Sequence, residues 1–233
     1  AGKNFNFEIS NEGIADTIGS SNFVGVSITQ LELGQGCVIG DDAVILITNK
    51  GTNSNATGIN NQVGYVSGSQ AFVNGFTAGK NLNFSVENSA NNTGNASNSV
   101  GYITGSQIVF NDDVNFNDNS LVFASNSGTV ADSQMVFQNG FNILSGKLTL
   151  QAVNSGTVGF KGIYVQDGLG GKVNIILNNS SLYVDTTLTT FTISELNGDA
   201  ASLAQSRPEL IINTDSLTNG DFAGSIQNFP STV

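Results

Sequence analysis

Short runs of alternating apolar and polar residues recur along the chain. The clearest alternations place apolar residues at Phe5, Phe7 and Ile9, at Leu82, Phe84 and Val86, at Leu148, Leu150 and Ala152, and at Val173, Ile175 and Leu177. A period of two predicts β-strands with one buried face. Gly, Asn, Asp and Ser separate the runs and favour tight turns. The nearest candidate for an amphipathic helix, Ala200 to Ser206, is too short to form one alone. The pattern therefore predicts an all-β protein.

The alternating runs belong to a repeated segment, which starts with a small or acidic residue in most copies. We find seven copies: GKNFNFEISN from Gly2, DDAVILITNK from Asp41, GKNLNFSVEN from Gly79, DNSLVFASNS from Asp118, GKLTLQAVNS from Gly146, GKVNIILNNS from Gly171 and PELIINTDSL from Pro208. A second phrase recurs between them, as VGYVSGSQ at 63–70 and VGYITGSQ at 100–107. Self-similarity of this kind is typical of solenoids, in which equivalent residues of successive coils stack on one another.

Two all-β architectures fit the strands, and the repeat separates them. A sandwich or barrel has strands at even spacing but does not need strand sequences to recur. A parallel β-helix, or β-solenoid, of about seven coils explains the recurrence, and precedent favours the right-handed form. We expect one β-helix domain over residues 1–233, with long coils in about 1–117 and shorter coils in about 118–190.

The charge of the chain excludes some classes of partner. The net charge is -11, and only 11% of residues are charged, against about a quarter in typical domains. The seven basic residues stand singly at Lys3, Lys50, Lys80, Lys147, Lys161, Lys172 and Arg207. Nucleic acids and anionic membrane surfaces require clustered cations, so we expect neither as a partner. Apolar runs such as Ala43 to Ile47 are far short of the ~20 residues that span a bilayer, so we expect no membrane insertion of this segment.

The chemistry available to the chain is narrow. It contains no His, which excludes imidazole metal sites, Ser-His-Asp triads and Cys-His dyads. The single cysteine, Cys37, has no internal disulfide partner; we expect a buried apolar residue, with a reactive thiol as the alternative. The glycines of Gly34 to Gly40 match neither phosphate-loop pattern and indicate turns. We therefore assign no catalytic, cofactor-binding or metal-binding residue.

Acidic residues raise two further possibilities. Asp112, Asp113 and Asp118 supply several oxygens within a short segment, as a calcium ion requires, and Asp41 and Asp42 form a second acidic pair. Neither the EF-hand spacing nor a calcium-binding nonapeptide is present, so we expect solvated turn residues.

The enzyme hypothesis rests on these same acids. A polysaccharide-cleaving enzyme needs paired carboxylates on one face, and a lyase needs a base beside them. The acids instead stand mostly at turns, and the single arginine, Arg207, precedes a proline at an apparent strand start. We therefore do not expect an enzyme.

Two sets of equivalent residues invite predictions about stacking. Asn88, Asn126 and Asn154 follow successive repeat strands and could form an amide ladder across coils. Tyr65 and Tyr102 occupy the same position of the second phrase. We expect the tyrosines to stack inside the core; an outward aromatic ladder, suited to sugar rings or a partner protein, is the alternative.

The last part of the chain, about 191–229, resembles the repeat of passenger domains of bacterial autotransporters (type V secretion). That repeat has the form I-x-x-L-x-G, an extended L-x-I strand, and F-x-G-x-I; the matching residues are Ile193, Leu196, Gly198, Leu210, Ile212, Phe222, Gly224 and Ile226. The resemblance implies a right-handed β-helix displayed on, or released from, the outer surface of a Gram-negative-type cell, most often as an adhesin.

Our first hypothesis is therefore an extracellular or cell-surface β-helical passenger. We expect it to bind a cell-surface protein or glycan through loops extruded at Gly51 to Gln62 and Ser89 to Ser99. The alternative is a self-assembling subunit of a surface filament or layer, joined through the unpaired strand edges of its end coils. A β-helical polysaccharide-active enzyme is the third possibility.

Overall fold

A computed structural model describes residues 4–15, 23–54, 62–95, 98–112, 114–139, 141–166, 173–185, 189–212 and 221–228. Every helix or strand in these residues is a β-strand, as the alternation predicts. The helix candidate Ala200 to Ser206 instead ends in a strand, Leu203–Ser206, so the segment is not helical. The chain is all-β in its described part.

Twenty-six strands follow one another along the chain. They are β1 (Asn6–Ala15), β2 (Phe23–Ser27), β3 (Leu31–Leu33), β4 (Cys37–Ile39), β5 (Val44–Asn53), β6 (Gln62–Val66), β7 (Ala71–Val73), β8 (Phe76–Ala78), β9 (Asn83–Asn92), β10 (Ser99–Ile103), β11 (Ile108–Phe110), β12 (Val114–Phe116), β13 (Ser120–Asn126), β14 (Thr129–Val130), β15 (Met135–Phe137), β16 (Phe141–Ile143), β17 (Leu148–Asn154), β18 (Thr157–Val158), β19 (Ile163–Val165), β20 (Val173–Asn178), β21 (Ser181–Val184), β22 (Thr190–Ile193), β23 (Glu195–Gly198), β24 (Leu203–Ser206), β25 (Glu209–Ile212) and β26 (Ser225–Asn228).

The strands form five sheets, in which every described pair of neighbours is parallel. Sheet A has the order β1-β5-β9-β13-β17-β20-β23, and sheet B the order β18-β14-β10-β6-β2. Sheet C has the order β26-β24-β21-β19-β15-β11-β7-β3, sheet D the order β16-β12-β8-β4, and sheet E pairs β22 with β25. Successive strands of the chain thus visit different sheets, and each sheet gains one strand per repeat. This arrangement is consistent with a β-solenoid.

Six of the seven repeat copies lead into neighbouring strands of sheet A. The prediction that the copy at Pro208 forms the seventh strand is wrong. The seventh strand of sheet A is Glu195–Gly198, whereas Glu209–Ile212 pairs with β22 in sheet E. Its side chains are mostly exposed. Alternation in PELIINTDSL therefore does not reflect a face buried in the main core.

The spacing between strands of sheet A decreases along the chain. Stacked residues of β1, β5, β9 and β13 lie 38, 39 and 38 positions apart, and those of β13 and β17 lie 28 apart. Leu148 pairs with Val173, 25 positions later, and Asn174 with Glu195, 21 positions later. The register between strands is maintained while the length of the connecting segments changes.

A left-handed residue before each of the first four strands of sheet A explains how the repeated segment starts. Asn4, Asp42, Asn81 and Asn119 have φ between 57° and 59°. Asn and Asp tolerate this conformation because their short polar side chains bond locally. The Asn of each GKN sequence, Asn4 and Asn81, is therefore a turn residue that directs the chain into a strand of sheet A.

The main core lies between the sheets and is built from Val, Ile, Leu, Ala and Phe of sheets A, C, D and E. Phe110 and Phe137, in neighbouring strands of sheet C, stack with their ring centroids 4.7 Å apart. Both are fully buried. Fully burying such a side chain contributes about 1.5–3 kcal/mol, so the aromatic stack is a main source of cohesion between these repeats.

An amide ladder runs along sheet A and confirms the prediction for Asn88, Asn126 and Asn154. It extends further, to Asn49 and Asn11. Each Nδ2 donates to the Oδ1 of the next residue, at distances from 2.7 to 3.0 Å. The amides also donate to backbone carbonyl oxygens, as Asn88 does to Gly101. The ladder thus links the repeats and satisfies carbonyl groups of sheet B.

A second set of amides fixes the corner before sheet C. Gln30, Gln70, Gln107 and Gln134 precede its first four strands, and each donates an Nε2–H to a backbone carbonyl of sheet A, at 2.7 to 2.9 Å. The Gln of the SGSQ phrase therefore crosses the interior between two sheets. It positions the start of each strand of sheet C, and with it the outer face described next.

Candidate functional site

The outer face of sheet C carries a column of apolar side chains. Phe72 pairs with Val109, Val109 with Val136, and Val136 with Tyr164. The neighbours on both sides of Val109, Ile108 and Phe110, belong to the core, so Val109 faces away from it. Even so, Val109 is only 7% exposed and Val136 4%. Outward residues with so little exposure lie at the bottom of a depression.

That depression is a groove of about 320 Å³, which we call the sheet C groove. Its lining consists of Ser69, Phe72, Gly105, Ser106, Val109, Asp132, Val136, Gln138, Phe160, Tyr164 and Gln166. The floor is apolar, while the walls present hydroxyl, amide and carboxylate groups. Four strands contribute to the floor, which at ~4.8 Å per strand gives a length of about 14 Å along the stack. An apolar floor with a few polar groups is the usual composition of a ligand site.

Two aromatic rings, Phe160 and Tyr164, line one end of the sheet C groove, and a third, Tyr183, packs against both. Phe160 packs edge-on against Tyr164, with 5.2 Å between ring centroids, and Tyr164 lies 5.4 Å from Tyr183 on the next strand. Phe160 is 49% exposed. Together with the apolar floor it adjoins, this ring extends the apolar surface of the groove toward solvent.

A lysine is held within these rings. Lys161 Nζ lies 4.8 Å from the ring centroid of Tyr183 and 5.5 Å from that of Phe160. It donates a hydrogen bond to Gln205 Oε1 at 2.8 Å. Burial lowers the pKa of Lys161 below its usual value, because the charged form loses hydration. Cation–π attraction to the two rings offsets part of that loss.

A carboxylate and an arginine lie on the other side of Tyr164. The Tyr164 hydroxyl donates to Asp185 Oδ2 at 3.4 Å, and Arg207 Nη1 lies 3.0 Å from Asp185 Oδ1. Burial raises the pKa of Tyr164 above its usual value; a hydrogen bond with Gln166 opposes the change, and the negative charge of Asp185 adds to it. The phenol is therefore neutral at physiological pH.

The acidic residues singled out in the sequence are not brought together. Asp41 Oδ1 accepts from the Lys80 backbone N–H at 3.0 Å, and Asp42 Oδ1 accepts from Asn81 Nδ2 at 2.7 Å. Both contacts join the turns of neighbouring repeats. These two acids therefore have a structural role at the corner before sheet A.

The acids considered as an alternative calcium cluster have different hydrogen-bond partners. Asp112 Oδ2 accepts from Gln35 Nε2 at 2.8 Å, whereas Asp118 Oδ1 accepts from the Lys147 backbone N–H at 3.3 Å. Asp113 lies outside the described residues. Within the described ranges, no three His, Cys, Asp or Glu side chains are grouped as a metal site would require.

The inward orientation expected for Tyr65 and Tyr102 is wrong. The rings do stack, with centroids 5.7 Å apart, but both are only partly buried. The buried positions are Val63 and Val66, on either side of Gly64 at φ 59°. Because a left-handed residue interrupts the alternation, Tyr65 turns outward.

The loops expected to bind ligands are shorter than the sequence suggests. Gly51 to Asn53 still belong to β5 and Ser89 to Asn92 to β9, and Gly51 pairs with Ala90. Residues 55–61 and 96–97 lie outside the described residues. Cys37 is partly buried in β4 and lines an apolar cavity.

The sequence reasoning missed the sheet C groove. A usable signal was present: the strands around it read AFV, IVF, MVF, IYV and SLYV, with apolar residues where a one-sided strand has a polar one. Strands that are apolar on both faces indicate a second contact surface.

In the described part of the chain, no helix has the length and apolar character needed to cross a membrane. No protein-family model, curated protein or solved structure matches the chain.

Proposed function

We propose that the chain is a right-handed parallel β-helix of about seven coils that acts as an extracellular or cell-surface adhesin, with a glycan as its ligand. The parallel sheets and the ladders at fixed register support the β-helix. The resemblance of residues 191–229 to autotransporter passengers supports the location.

The sheet C groove carries the glycan assignment. Sugars have apolar C–H faces and hydroxyl rims, so they bind where a ring or aliphatic floor is bordered by amide and hydroxyl groups. The groove offers Tyr164 and Phe72 on its floor and Gln138 and Gln166 on its walls. The floor belongs to strands, which makes the site rigid before the ligand arrives.

Binding rather than catalysis fits the acids at the groove. Its described lining includes one carboxylate, Asp132, whose Oδ2 accepts from Ser106 Oγ at 2.9 Å. Glycoside hydrolysis uses two carboxyl groups that flank the scissile bond.

The decisive experiment compares aromatic variants on an oligosaccharide array followed by calorimetry. Tyr164→Ala should weaken binding about tenfold or more, since truncating a central aromatic contact costs over ~1.4 kcal/mol. Tyr65→Ala is the matched control: it removes a partly buried tyrosine from sheet B, outside the groove. Equal losses in the two folded variants, or the absence of any glycan ligand for the parent protein, would overturn the assignment.

A filament subunit is the second candidate function, and one observation favours it. The first strands of sheets A, C and D surround an apolar cavity of about 150 Å³, and Val38 beside it is 59% exposed. Ile226 on β26, 51% exposed, ends the column of sheet C that begins with Leu31. Stacking of copies end to end would continue that column. Fibres in electron micrographs that disappear in Val38→Glu would support this candidate, and a monomer at all concentrations would refute it.

A further inference from the structure

Lys161 is a cation with room for an anionic partner. An ammonium has three donors, and among the described residues only Gln205 accepts from this one. The described carboxylates leave it without an ion pair: the two salt bridges between described residues join Lys50 to Glu12 and Arg207 to Asp185. What distinguishes Lys161 is its position, since its ammonium is held over two aromatic rings and by Gln205.

Lys161 contributes a positive charge without an ion-pair partner among the described residues at this end of the sheet C groove. Arg207 and Asp185 neutralise each other at 3.0 Å, which leaves the charge of Lys161 uncompensated. Phe160 lines the groove and also packs against Lys161, so the ammonium stands directly beside the binding surface. The ring contacts and Gln205 hold it in place, which reduces the entropy lost when it binds a ligand.

We propose that Lys161 recognises an anionic group of the ligand, so that the glycan bound in the sheet C groove is an acidic one, carrying carboxylate or sulfate. This inference rests on the proposed function and names its substrate class. The sugar rings lie over Phe72, Val136 and Tyr164, and the acidic substituent contacts the Lys161 ammonium beyond Phe160.

The described lining of the groove also includes one acid, Asp132. It accepts from Ser106 Oγ at 2.9 Å and from Ser133 Oγ at 3.4 Å, which fixes the carboxylate and leaves its charge in place, so the Lys161 contact has to outweigh its repulsion of an acidic ligand. The more distant carboxylates are screened, because the Debye length is about 8 Å at physiological ionic strength.

The test measures affinity for a hexuronate oligosaccharide and for its methyl ester, which keeps the sugar rings and removes the charge. A sulfated neutral oligosaccharide and its desulfated form make a second pair that distinguishes the two anions. The parent protein should prefer one or both acidic forms about tenfold, as expected for a charged hydrogen bond. The preference should fall as salt is added.

Three variants complete the test. Lys161→Gln should abolish the preference for the acidic form, and Lys161→Arg should retain it. Lys80→Gln, which makes the same change of charge at an exposed turn before β9, should behave as the parent protein does. The affinities of the parent protein for the acid and for its ester can be compared without any variant. The acidic-ligand proposal therefore remains testable even if a Lys161 variant does not fold.

The outcomes separate the two proposals. Equal binding of acid and ester that is lost in Tyr164→Ala overturns the acidic ligand and leaves glycan binding intact. An undiminished preference in folded Lys161→Gln also overturns the role of Lys161. No binding of any of the four oligosaccharides, nor of the wider array, overturns glycan binding itself.

Discussion

Replacing Asn88 by alanine tests how much the amide ladder stabilises the fold. Asn88 is 2% exposed and stands in the middle of the ladder. Its Oδ1 accepts from Asn49 at 2.8 Å, and its Nδ2 donates to Asn126 at 2.9 Å and to the Gly101 carbonyl at 2.8 Å. Alanine removes all three hydrogen bonds and leaves buried partners behind.

The expected cost follows from these three contacts. A hydrogen bond contributes about 1 kcal/mol net, and a partner left unsatisfied in the interior adds to the loss. Two of the partners keep another contact, since Asn49 still donates to Gly64 and Asn126 still accepts from the Gly128 backbone. We therefore expect Asn88→Ala to lower the free energy of unfolding by about 3 kcal/mol.

Urea denaturation followed by circular dichroism measures the effect, which should shift the midpoint by about 1 M. Asn91→Ala is the control, because Asn91 lies on the same strand with an exposed side chain, and its removal should cost less than about 0.5 kcal/mol. Asn88→Asp should destabilise at neutral pH at least as much as alanine does, since it places a buried carboxylate against the Gly101 carbonyl. If Asn88→Ala and Asn91→Ala have equal stability, the ladder contributes nothing beyond the backbone pairing, and the reasoning is refuted.

Two further predictions concern the turns. Gly64→Ala should lower the free energy of unfolding by more than about 2 kcal/mol, because φ is 59° and the added Cβ would lie 2.5 Å from the Lys50 carbonyl oxygen. Gly36→Ala is the control: φ is 74° but the space around it is open, so the loss should be about 1 kcal/mol. Similar urea midpoints for the two variants would contradict this prediction. A hydrogen bond from the Ser202 hydroxyl, and weaker ones from backbone N–H groups, lower the pKa of Asp199 below its usual value. The ionised carboxylate therefore stabilises the fold at pH values above its unfolded pKa, and this stabilisation is lost as the pH falls through the folded pKa. Asp199→Asn should therefore lose less stability than the parent protein does on acidification, and parallel pH profiles would count against that linkage.

The repeat made much of the fold predictable. Equivalent residues share one environment, so GKNFNFE and GKNLNFS predict strands of the same sheet, and the Asn ladder follows from Asn88, Asn126 and Asn154 occupying equivalent positions of such strands. The prediction was wrong where a segment kept the alternating pattern but packed in a different sheet. PELIINTDSL alternates as a buried strand does, but it pairs in a separate two-stranded sheet, and Glu195–Gly198 takes its expected place.

The site was harder to predict than the scaffold. Its floor residues stand 37, 27 and 28 positions apart, at Phe72, Val109, Val136 and Tyr164, and they change from aromatic to aliphatic and back, so no single residue type marks the column in the sequence. The left-handed Gly64 likewise turned Tyr65 outward, which alternation alone does not reveal. The depth of a groove depends on how far the connecting segments on either side project beyond the strands. The sequence of a strand does not reveal the conformation of those segments.

The strands of sheet A shorten along the chain, from ten residues in β1, β5 and β9 to seven in β13 and β17, six in β20 and four in β23. Fewer backbone hydrogen bonds therefore join the later repeats within this sheet. The groove spans this gradient, because Phe72 belongs to a long repeat and Tyr164 to a short one. A molecule bound along the groove would therefore contact both kinds of repeat at once and would stabilise the less extensively paired repeats against unfolding.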